Sequence, residues 1–267
     1  MLDISKPIAM GIINLTADSF YDGGKIKSDK DLLRKTERML TEGAIILDVG
    51  AYSSRPGALD IPIETELKNA LAGIDVILSE FNDAVISVDT FRSDVARAVV
   101  ENGAAIINDI SAGGLDNQMF DTIAKLKVPY IMMHMRGNPQ TMMNLTQYDN
   151  LLSEIIDYFN GRIKLLNDKG VSDVIIDPGF GFAKTLDQNF ELLNQLELLG
   201  MLDAPVLCGV SRKSMIWKSL DCSPDEALNG TTALNSICLS KGASILRVHD
   251  VKEAMETIKL YNLMTKN

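Results

Sequence analysis

The feature that most constrains this chain is a regular alternation of short apolar runs with longer stretches of helical periodicity. Eight runs are almost wholly apolar until their last residues, which is typical of parallel strands buried on both faces. They cover residues 8–14, 44–51, 84–90, 104–111, 129–135, 173–179, 205–211 and 244–250. Because parallel strands need crossover connections, and helices supply them, the alternation predicts eight β/α units.

Residues that favour helix ends bracket several of the stretches between these runs. Ser28 is followed by Asp31 and an apolar stripe that Gly43 closes, and Ser93 and Gly103 bracket a second stretch. The other predicted helices cover 148–169, 185–199, 224–241 and about 251–264, and Gly170, Gly200 and Gly242 follow the first three. Leu186, Phe190, Leu193 and Leu196 form one face of the helix at 185–199, and Pro224 opens the next one.

The length and punctuation of the chain favour one barrel. Its 267 residues lie close to the roughly 250 of a closed β/α barrel, and no linker rich in proline, glycine or serine divides it. An open doubly wound sheet is the alternative, but such sheets more often carry a GxGxxG fingerprint after the first strand, which is absent here. The sequence therefore predicts an α/β protein, a single-domain (β/α)8 TIM barrel over residues 1–267.

Composition and charge exclude several classes of partner. The formal net charge is −10, which disfavours nucleic acids and anionic membranes. No apolar run approaches the about 20 residues that span a bilayer, and the first residues lack the features of a signal peptide. Cys208, Cys222 and Cys238 contain no close pair, which argues against a disulfide framework or a zinc site. We therefore expect a cytoplasmic protein that binds neither nucleic acid nor membrane.

Almost every apolar run turns polar at its C-terminal end. In a β/α barrel these ends form the rim of the active site. Burying many polar groups at one rim is costly unless a ligand pairs with them. The pattern therefore predicts a binding site at the rim. The polar residues are Asn14, Asp48, Asp89, Asn108, His134, Asp177, Ser211 with Lys213, and Arg247 with His249.

The charges at this rim indicate two kinds of ligand group. Asp89, Asn108 and Asp177 suit a flat heterocycle with N–H donors, although their spacing alone also permits a Mg²⁺ site. The basic residues follow strands 2, 7 and 8, and the loops after strands 7 and 8 of barrels often bind phosphate. These residues are Arg55, Lys213, Arg247 and His249. We expect the acceptors on one side of the barrel mouth and the cations on the opposite side.

Two polar loops and one glycine-rich segment adjoin the rim. Residues 15–27 and 51–62 have few apolar anchors and are candidates for lids. After the sixth run, Gly179 and Gly181 permit tight turns. Phe180 and Phe182 either stack on a planar ligand or pack beneath the loop. This segment is therefore a second candidate for ligand contact.

These residues resemble the dihydropteroate synthase family, and the resemblance covers the whole chain with each motif in family order. One such short motif is a weak signal, but eight in order at matching spacing are specific. The matching segments are GIINLTADSFYDGG at 11–24, GAYSSRPG at 50–57, SVDT at 87–90, INDIS at 107–111, MMHMRGNP at 132–139, DPGFGFAK at 177–184, GVSRKS at 209–214 and LRVHD at 246–250.

The resemblance implies an enzyme of folate biosynthesis and assigns its site. The reaction would join 6-hydroxymethyl-7,8-dihydropterin diphosphate to p-aminobenzoate, with Mg²⁺ as cofactor, in a homodimer that sulfonamides target. The pterin would contact Asp89, Asn108, Met133, Asp177, Gly209 and Lys213. The diphosphate would contact Asn14, which also holds the metal, and Ser54, Arg55, Arg247 and His249. The p-aminobenzoate would contact Arg55, Pro56, Phe182, Lys213 and Ser214, and catalysis would rest on Arg55, Asp89, Asp177, Lys213 and Arg247.

This chain departs from the family pattern in its first two loops. The family usually has proline where Ala17 stands, and Ala51, Tyr52 and Ser54 alter the second loop. We expect Tyr52 to add bulk near the amine and the departures to affect amine and sulfonamide affinity more than reaction type. Two alternatives stay open: a pterin-dependent methyltransferase, which handles no diphosphate, and a catalytically silent pterin-binding paralogue.

Overall fold

Eight parallel strands close into a barrel in chain order in a computed structural model, which describes residues 4–15, 28–55 and 57–265. The predicted (β/α)8 barrel is therefore confirmed. The strands are β1 Ile8–Asn14, β2 Ile46–Gly50, β3 Ile86–Asp89, β4 Ile106–Asp109, β5 Tyr130–Met133, β6 Val174–Asp177, β7 Val206–Cys208 and β8 Ala243–Val248.

Helices connect the strands on the outside of the barrel. They are α1 Asp29–Thr41, α2 Ile63–Glu80, α3 Ser93–Glu101, α4 Met119–Leu126, α5 Leu151–Asp168, α6 Leu186–Asn194, the short α7 Ser214–Trp217, α8 Leu228–Ser240 and α9 Val251–Met264. Short 3-10 turns cover Met142–Asn144, Leu196–Leu202 and Pro224–Glu226. In the described part of the chain, no helix has both the length and the apolarity that crossing a membrane requires.

The helix ends show which sequence signals determined the structure. The Ser28 side chain accepts a hydrogen bond from the Asp31 N–H, and Gly43 ends the same helix with φ +102°. Both predictions are confirmed. The sequence had given no bounds for α2 and α4, whose N-cap residues Pro62 and Gln118 make no side-chain cap hydrogen bond. These two helices therefore lacked one of the local signals that marked the start of α1.

The prediction of a helix at 185–199 that Gly200 ends is wrong. The α-helix stops at Asn194, a 3-10 turn continues past Gly200, and Asp203 takes the left-handed conformation instead. Leu186 and Phe190 are exposed, because the helix turns Asn189 inward to accept a hydrogen bond from the Gly181 N–H at 2.6 Å. The stretch at 224–241 likewise begins with a 3-10 turn, and the α-helix starts only at Leu228.

The barrel interior consists of layers, because alternate residues of each strand point inward. Six buried apolar residues form what we call the floor layer: Ile46, Ile106, Ile131, Ile175, Leu207 and Ile245. The inward position two residues further along each of these strands gives the mouth layer: Asp48, Asn108, Met133, Asp177, Gly209 and Arg247. The same alternation turns Asn14 and Asp89 inward. The fold therefore gathers most of the predicted rim residues above one apolar floor.

Candidate active site

Asp48 lies at the centre of the hydrogen-bond network in the mouth layer. Its side chain is fully buried, and its Oδ2 accepts hydrogen bonds from Arg247 Nε at 2.6 Å and from Asn108 Nδ2 at 3.1 Å. The three residues come from β2, β8 and β4, so the network spans a large part of the barrel wall. The sequence marked Asp48 as polar but gave it no role.

Arg247 connects this network to a second carboxylate. Its Nη2 donates to Asp89 Oδ2 at 3.2 Å, so one guanidinium contacts both Asp48 and Asp89. We had expected the cations to lie opposite the acceptors, and for Arg247 this is wrong. The closed barrel places β8 beside β1, and a single strand then separates Arg247 from Asp48 on β2. The long arginine side chain reaches across that strand.

The environment of Asp89 makes its carboxyl group a weak acid. Burial raises its pKa to about 7, Arg247 opposes this rise and the nearby charge of Asp48 adds to it. Asp89 therefore titrates close to neutral pH. A ligand that donates hydrogen bonds to Asp89 favours its ionised form.

Asp177 belongs to the same mouth layer and comes from β6. Its Oδ1 accepts a hydrogen bond from the Gly179 N–H at 2.7 Å. Burial raises the pKa of its carboxyl group, and Lys213 is the main influence in the other direction. A Cβ on Gly209 would lie 4.0 Å from Asp177 Oδ2 and 4.0 Å from Arg247 Cδ. Asp177 and Arg247 therefore both lie beside Gly209 in the mouth layer, and the missing side chain of Gly209 leaves space between them.

Lys213 enters the mouth from the loop after β7, where it caps the short helix that Ser214 begins. Its Nζ donates to the Phe180 carbonyl and lies 4.7 Å from the centroid of the Phe182 ring. Burial lowers the pKa of this ammonium to about 8. Of the two phenylalanines, Phe180 is fully buried and packs beneath the loop, whereas Phe182 is half-buried beside Lys213.

Arg212 and Asp250 join the loops after β7 and β8, and the sequence did not identify this pair. Arg212 donates from Nε and Nη2 to the two oxygens of Asp250, both at 2.6 Å. The neighbouring His249 ring lies 3.0 Å from Ser211 Oγ through Nδ1. Because Arg212 precedes Lys213 and Asp250 follows His249, this ion pair holds the backbone next to Lys213 and His249 in place. The fixed spacing of SRKS and RVHD was its only signal in the sequence.

The prediction that His134 belongs to the rim is wrong. It follows the inward-facing Met133, so alternation turns it outward against the rings of Tyr158 and Phe159. Its Nδ1 lies 3.0 Å from Nζ of Lys184, which also donates to the carbonyls of Gly179 and Phe182. Burial lowers the pKa of Lys184 to about 7. This buried pair stabilises the loop after β6 and does not belong to the mouth layer.

The loop after β2 contacts the loop after β5. The Gly57 N–H donates to the Pro139 carbonyl at 3.2 Å, and Ser54 and Arg55 are half-buried. Tyr52, expected to add bulk near the amine, is buried edge-on against Phe91 with a centroid distance of 5.0 Å. Pro56, Ala17 and residues 16–27 of the predicted lid lie outside the described residues.

Asn14 ends β1 and offers one amide oxygen toward the mouth. This Oδ1 lies 3.7 Å from the position that a Cβ on Gly50 would take. Among the described residues, no group of three or more histidine, cysteine or acidic side chains forms a metal site. A single oxygen ligand fits Mg²⁺ that arrives with a substrate diphosphate, since Mg²⁺ keeps several waters and often binds few protein ligands.

Comparisons with known proteins identify the family of this chain. The chain matches the family model for pterin binding enzymes over residues 10–249. A dihydropteroate synthase from Synechocystis sp. is 44% identical over 95% of this chain and 88% of its own length. The enzyme of the same name from Escherichia coli is 40% identical over 97% of this chain and 92% of its own length.

Solved structures show the same relationship. Dihydropteroate synthase from Yersinia pestis, in complex with a sulfonamide drug, has a TM-score of 0.94 and 36% identity over 98% of this chain and 96% of its own. The Xanthomonas albilineans enzyme in complex with 7,8-dihydropteroate has a TM-score of 0.87 and 32% identity over 100% and 96%. This chain therefore belongs to the pterin-binding enzyme family, and within it to the dihydropteroate synthases.

Proposed function

We propose that this chain condenses 6-hydroxymethyl-7,8-dihydropterin diphosphate with p-aminobenzoate to give 7,8-dihydropteroate and diphosphate. The observation that carries the proposal is the cluster of charged and polar side chains at the barrel mouth. There the acceptors Asp89, Asn108 and Asp177 meet the cations Lys213 and Arg247 above an apolar floor. The relatives and solved structures reported above support the same reaction.

The acceptors would bind the pterin ring. Ionised Asp89 and Asp177 each accept hydrogen bonds, and the amino-pyrimidine edge of a pterin supplies donors. Met133 and Gly209 belong to the same layer, and the lack of a side chain at Gly209 leaves room for a flat ring between Asp177 and Arg247. Lys213 would donate to an acceptor on the ring. Since burial raises the pKa of both acids, ring binding would favour proton release from them.

The cations would stabilise the leaving diphosphate. Arg247 and His249 come from β8 and the loop after it, and Ser54 and Arg55 come from the loop after β2. Positive charge placed where the oxygen–carbon bond breaks lowers the barrier most effectively in a site that excludes water. Asn14 would hold a Mg²⁺ that neutralises part of the diphosphate charge. This places Asn14, the arginines and His249 around the leaving group.

Bond exchange at the exocyclic carbon would complete the reaction. The carbon–oxygen bond to diphosphate breaks, and the amine nitrogen of p-aminobenzoate forms a carbon–nitrogen bond and loses one proton. Phe182, Lys213, Ser214, Arg55 and Pro56 would frame the amine, and the half-buried ring of Phe182 beside Lys213 offers an apolar surface for it. An aryl amine is weakly basic, so its attack needs no strong general base.

A homodimeric state and a cytoplasmic location also belong to this proposal. Cys208, Cys222 and Cys238 all lie in the described part of the chain and are free thiols, which is typical of proteins from reducing compartments. Sedimentation of the purified protein would measure its state of association.

Product analysis tests the reaction directly. The purified protein is incubated with both substrates and Mg²⁺, and diphosphate and 7,8-dihydropteroate are quantified. We expect equal amounts of the two products, and none when p-aminobenzoate is omitted or when a chelator removes Mg²⁺. Ring binding without diphosphate release would indicate a silent paralogue, and absence of both would contradict the proposal. Full activity in the presence of chelator would refute only the role of Asn14 and Mg²⁺ and would leave the proposed reaction standing.

A further inference from the structure

We propose that Asp48 is a positioning residue that fixes the amide of Asn108 in one orientation, so that the site distinguishes ring edges by their order of donors and acceptors. The inference rests on the proposed ring binding at the mouth. It gives a role in ring binding to Asp48, which has no role in the proposed function.

The position of Asp48 allows it to act through Asn108. The strand register pairs Asp89 with Asn108 on one side and with Gly50 on the other, and Asp48 lies two residues before Gly50 on β2. The Nδ2 of Asn108 donates to Asp48 Oδ2 at 3.1 Å, so the two side chains meet within the mouth layer. Asp48 is fully buried, whereas Asn108 is slightly accessible. Asp48 therefore holds one side of an amide that is the more accessible member of the pair.

The chemistry of the pair selects one amide orientation. A primary amide has nearly the same shape after a flip that exchanges its oxygen and nitrogen, so its surroundings decide which atom points where. Asp48 forms an ion pair with Arg247 and acts as an acceptor only, so it takes the Nδ2 side of Asn108. The amide oxygen and one remaining N–H are then left for a ligand in a fixed order.

Only one oxygen of Asp48 has partners within the described residues. Oδ2 accepts from both Arg247 and Asn108, whereas Oδ1 and the Oγ of Ser87, the partner of Asp48 in the β2–β3 register, are buried and have no hydrogen-bond partner there. A buried polar atom without a partner costs free energy. The carboxylate therefore costs stability at Oδ1 while it orders Arg247 and Asn108 through Oδ2.

A double-mutant cycle tests the coupling. Affinity for 6-hydroxymethyl-7,8-dihydropterin is measured by calorimetry for the wild type, Asp48→Asn, Asn108→Ala and the double variant. We expect Asp48→Asn alone to weaken binding about tenfold, equivalent to about 1.4 kcal/mol, and less than twofold when Asn108 is already alanine. As a matched control, the effect of Asp48→Asn should persist in full in a Ser214→Ala background. Equal losses with and without Asn108 would overturn the proposal.

A second measurement separates orientation from general damage to the site. The 7,8-dihydropterin ring carries an N–H at position 8, where the fully oxidised ring carries an acceptor nitrogen. We expect the ratio of the affinities for these two rings to move toward one in Asp48→Asn. The same change is expected in Asp48→Ala, which serves as a second variant if Asp48→Asn folds poorly. A fall in both affinities at constant ratio would overturn the proposal. Absence of ring binding in the wild type would instead refute the proposed function.

Discussion

The floor layer and the mouth layer use the same strands and the same side of each strand, yet their residues differ completely. Ile46 is followed two residues later by Asp48, Ile106 by Asn108, Ile131 by Met133, Ile175 by Asp177, Leu207 by Gly209 and Ile245 by Arg247. The backbone geometry is shared, so depth in the barrel makes the difference. The floor residues belong to one buried apolar cluster, whereas the mouth residues lie closer to the C-terminal ends of the strands.

The two layers therefore make opposite contributions. Each floor side chain gains free energy by leaving water, about 1.5–3 kcal/mol for a fully buried aliphatic residue. Buried charges in the mouth cost desolvation energy, which the contacts of Arg247 with Asp48 and Asp89 only partly offset. The comparison teaches that stability and binding are separated by two residues along each strand, and substitutions can test this separation.

The largest expected effect is a loss of stability caused by a substitution in the floor layer. Ile131 is fully buried, so Ile131→Ala should lower the free energy of unfolding by about 2–5 kcal/mol, while Ile131→Val should cost about 0.5–1.5 kcal/mol. Urea denaturation measures both values. Folded Ile131→Ala should bind the dihydropterin as the wild type does. A large loss of affinity would show that the layers are not separable.

The next largest effect is a loss of ring affinity caused by a substitution in the mouth layer. Asp177→Asn keeps the shape of the side chain but removes the charge that accepts from the ring, so we expect the dissociation constant for the dihydropterin to rise about 100-fold. This corresponds to the about 1.5–3 kcal/mol of hydrogen bonds to charged groups. Calorimetry measures the affinity, and thermal unfolding should show a midpoint close to that of the wild type. Unchanged affinity would remove Asp177 from the ring site.

Two glycines should respond differently to substitution by alanine, one in ring binding and the other in stability. A Cβ on Gly209 would make only ordinary contacts, 3.9 Å or more, with Arg247 and Asp177. Gly209→Ala should therefore leave stability nearly unchanged and weaken ring binding about tenfold, roughly 1.4 kcal/mol. A Cβ on Gly179, with φ +71°, would lie 2.1 Å from the His134 carbonyl oxygen. Gly179→Ala should thus destabilise the fold, and thermal unfolding of both variants checks the contrast.

The last effect concerns pH. Burial raises the pKa of Asp89 from 3.8 to about 7, so the folded protein binds a proton that the unfolded chain releases within that range. Wild-type stability should fall as pH rises through this window because of Asp89. Asp89→Asn lacks the titration, so its melting temperature should rise relative to that of the wild type between pH 4 and pH 7. A difference independent of pH would place Asp89 in a better solvated setting.

Local signals in the sequence predicted much of the fold and part of the site. The run of Ile8–Asn14 matched the observed strand, and Ser28 and Gly43 marked the ends of α1, because strand burial and helix capping act between near neighbours. The helix at 185–199 was misread because Asn189 turns inward to a loop partner. Sequence periodicity does not reveal such a partner.

The roles of individual polar residues depended on contacts across the barrel. His134 had the same sequence context as the true mouth residues, and only the alternation along β5 turned it outward onto Tyr158. The pairs of Arg212 with Asp250 and of Lys184 with His134 lie 38 and 50 residues apart in sequence. No local pattern links residues at such separations.

By itself, the sequence determined that eight buried strands alternate with helices and that almost every apolar run turns polar at its C-terminal end, since side-chain hydrophobicity and capping are properties of short segments. Tertiary structure alone decided that Arg247 contacts Asp48, 199 positions earlier in the chain. Closure of the barrel brings the last strand beside the first, and the hydrogen bonds that this closure permits are absent from every local stretch of chain.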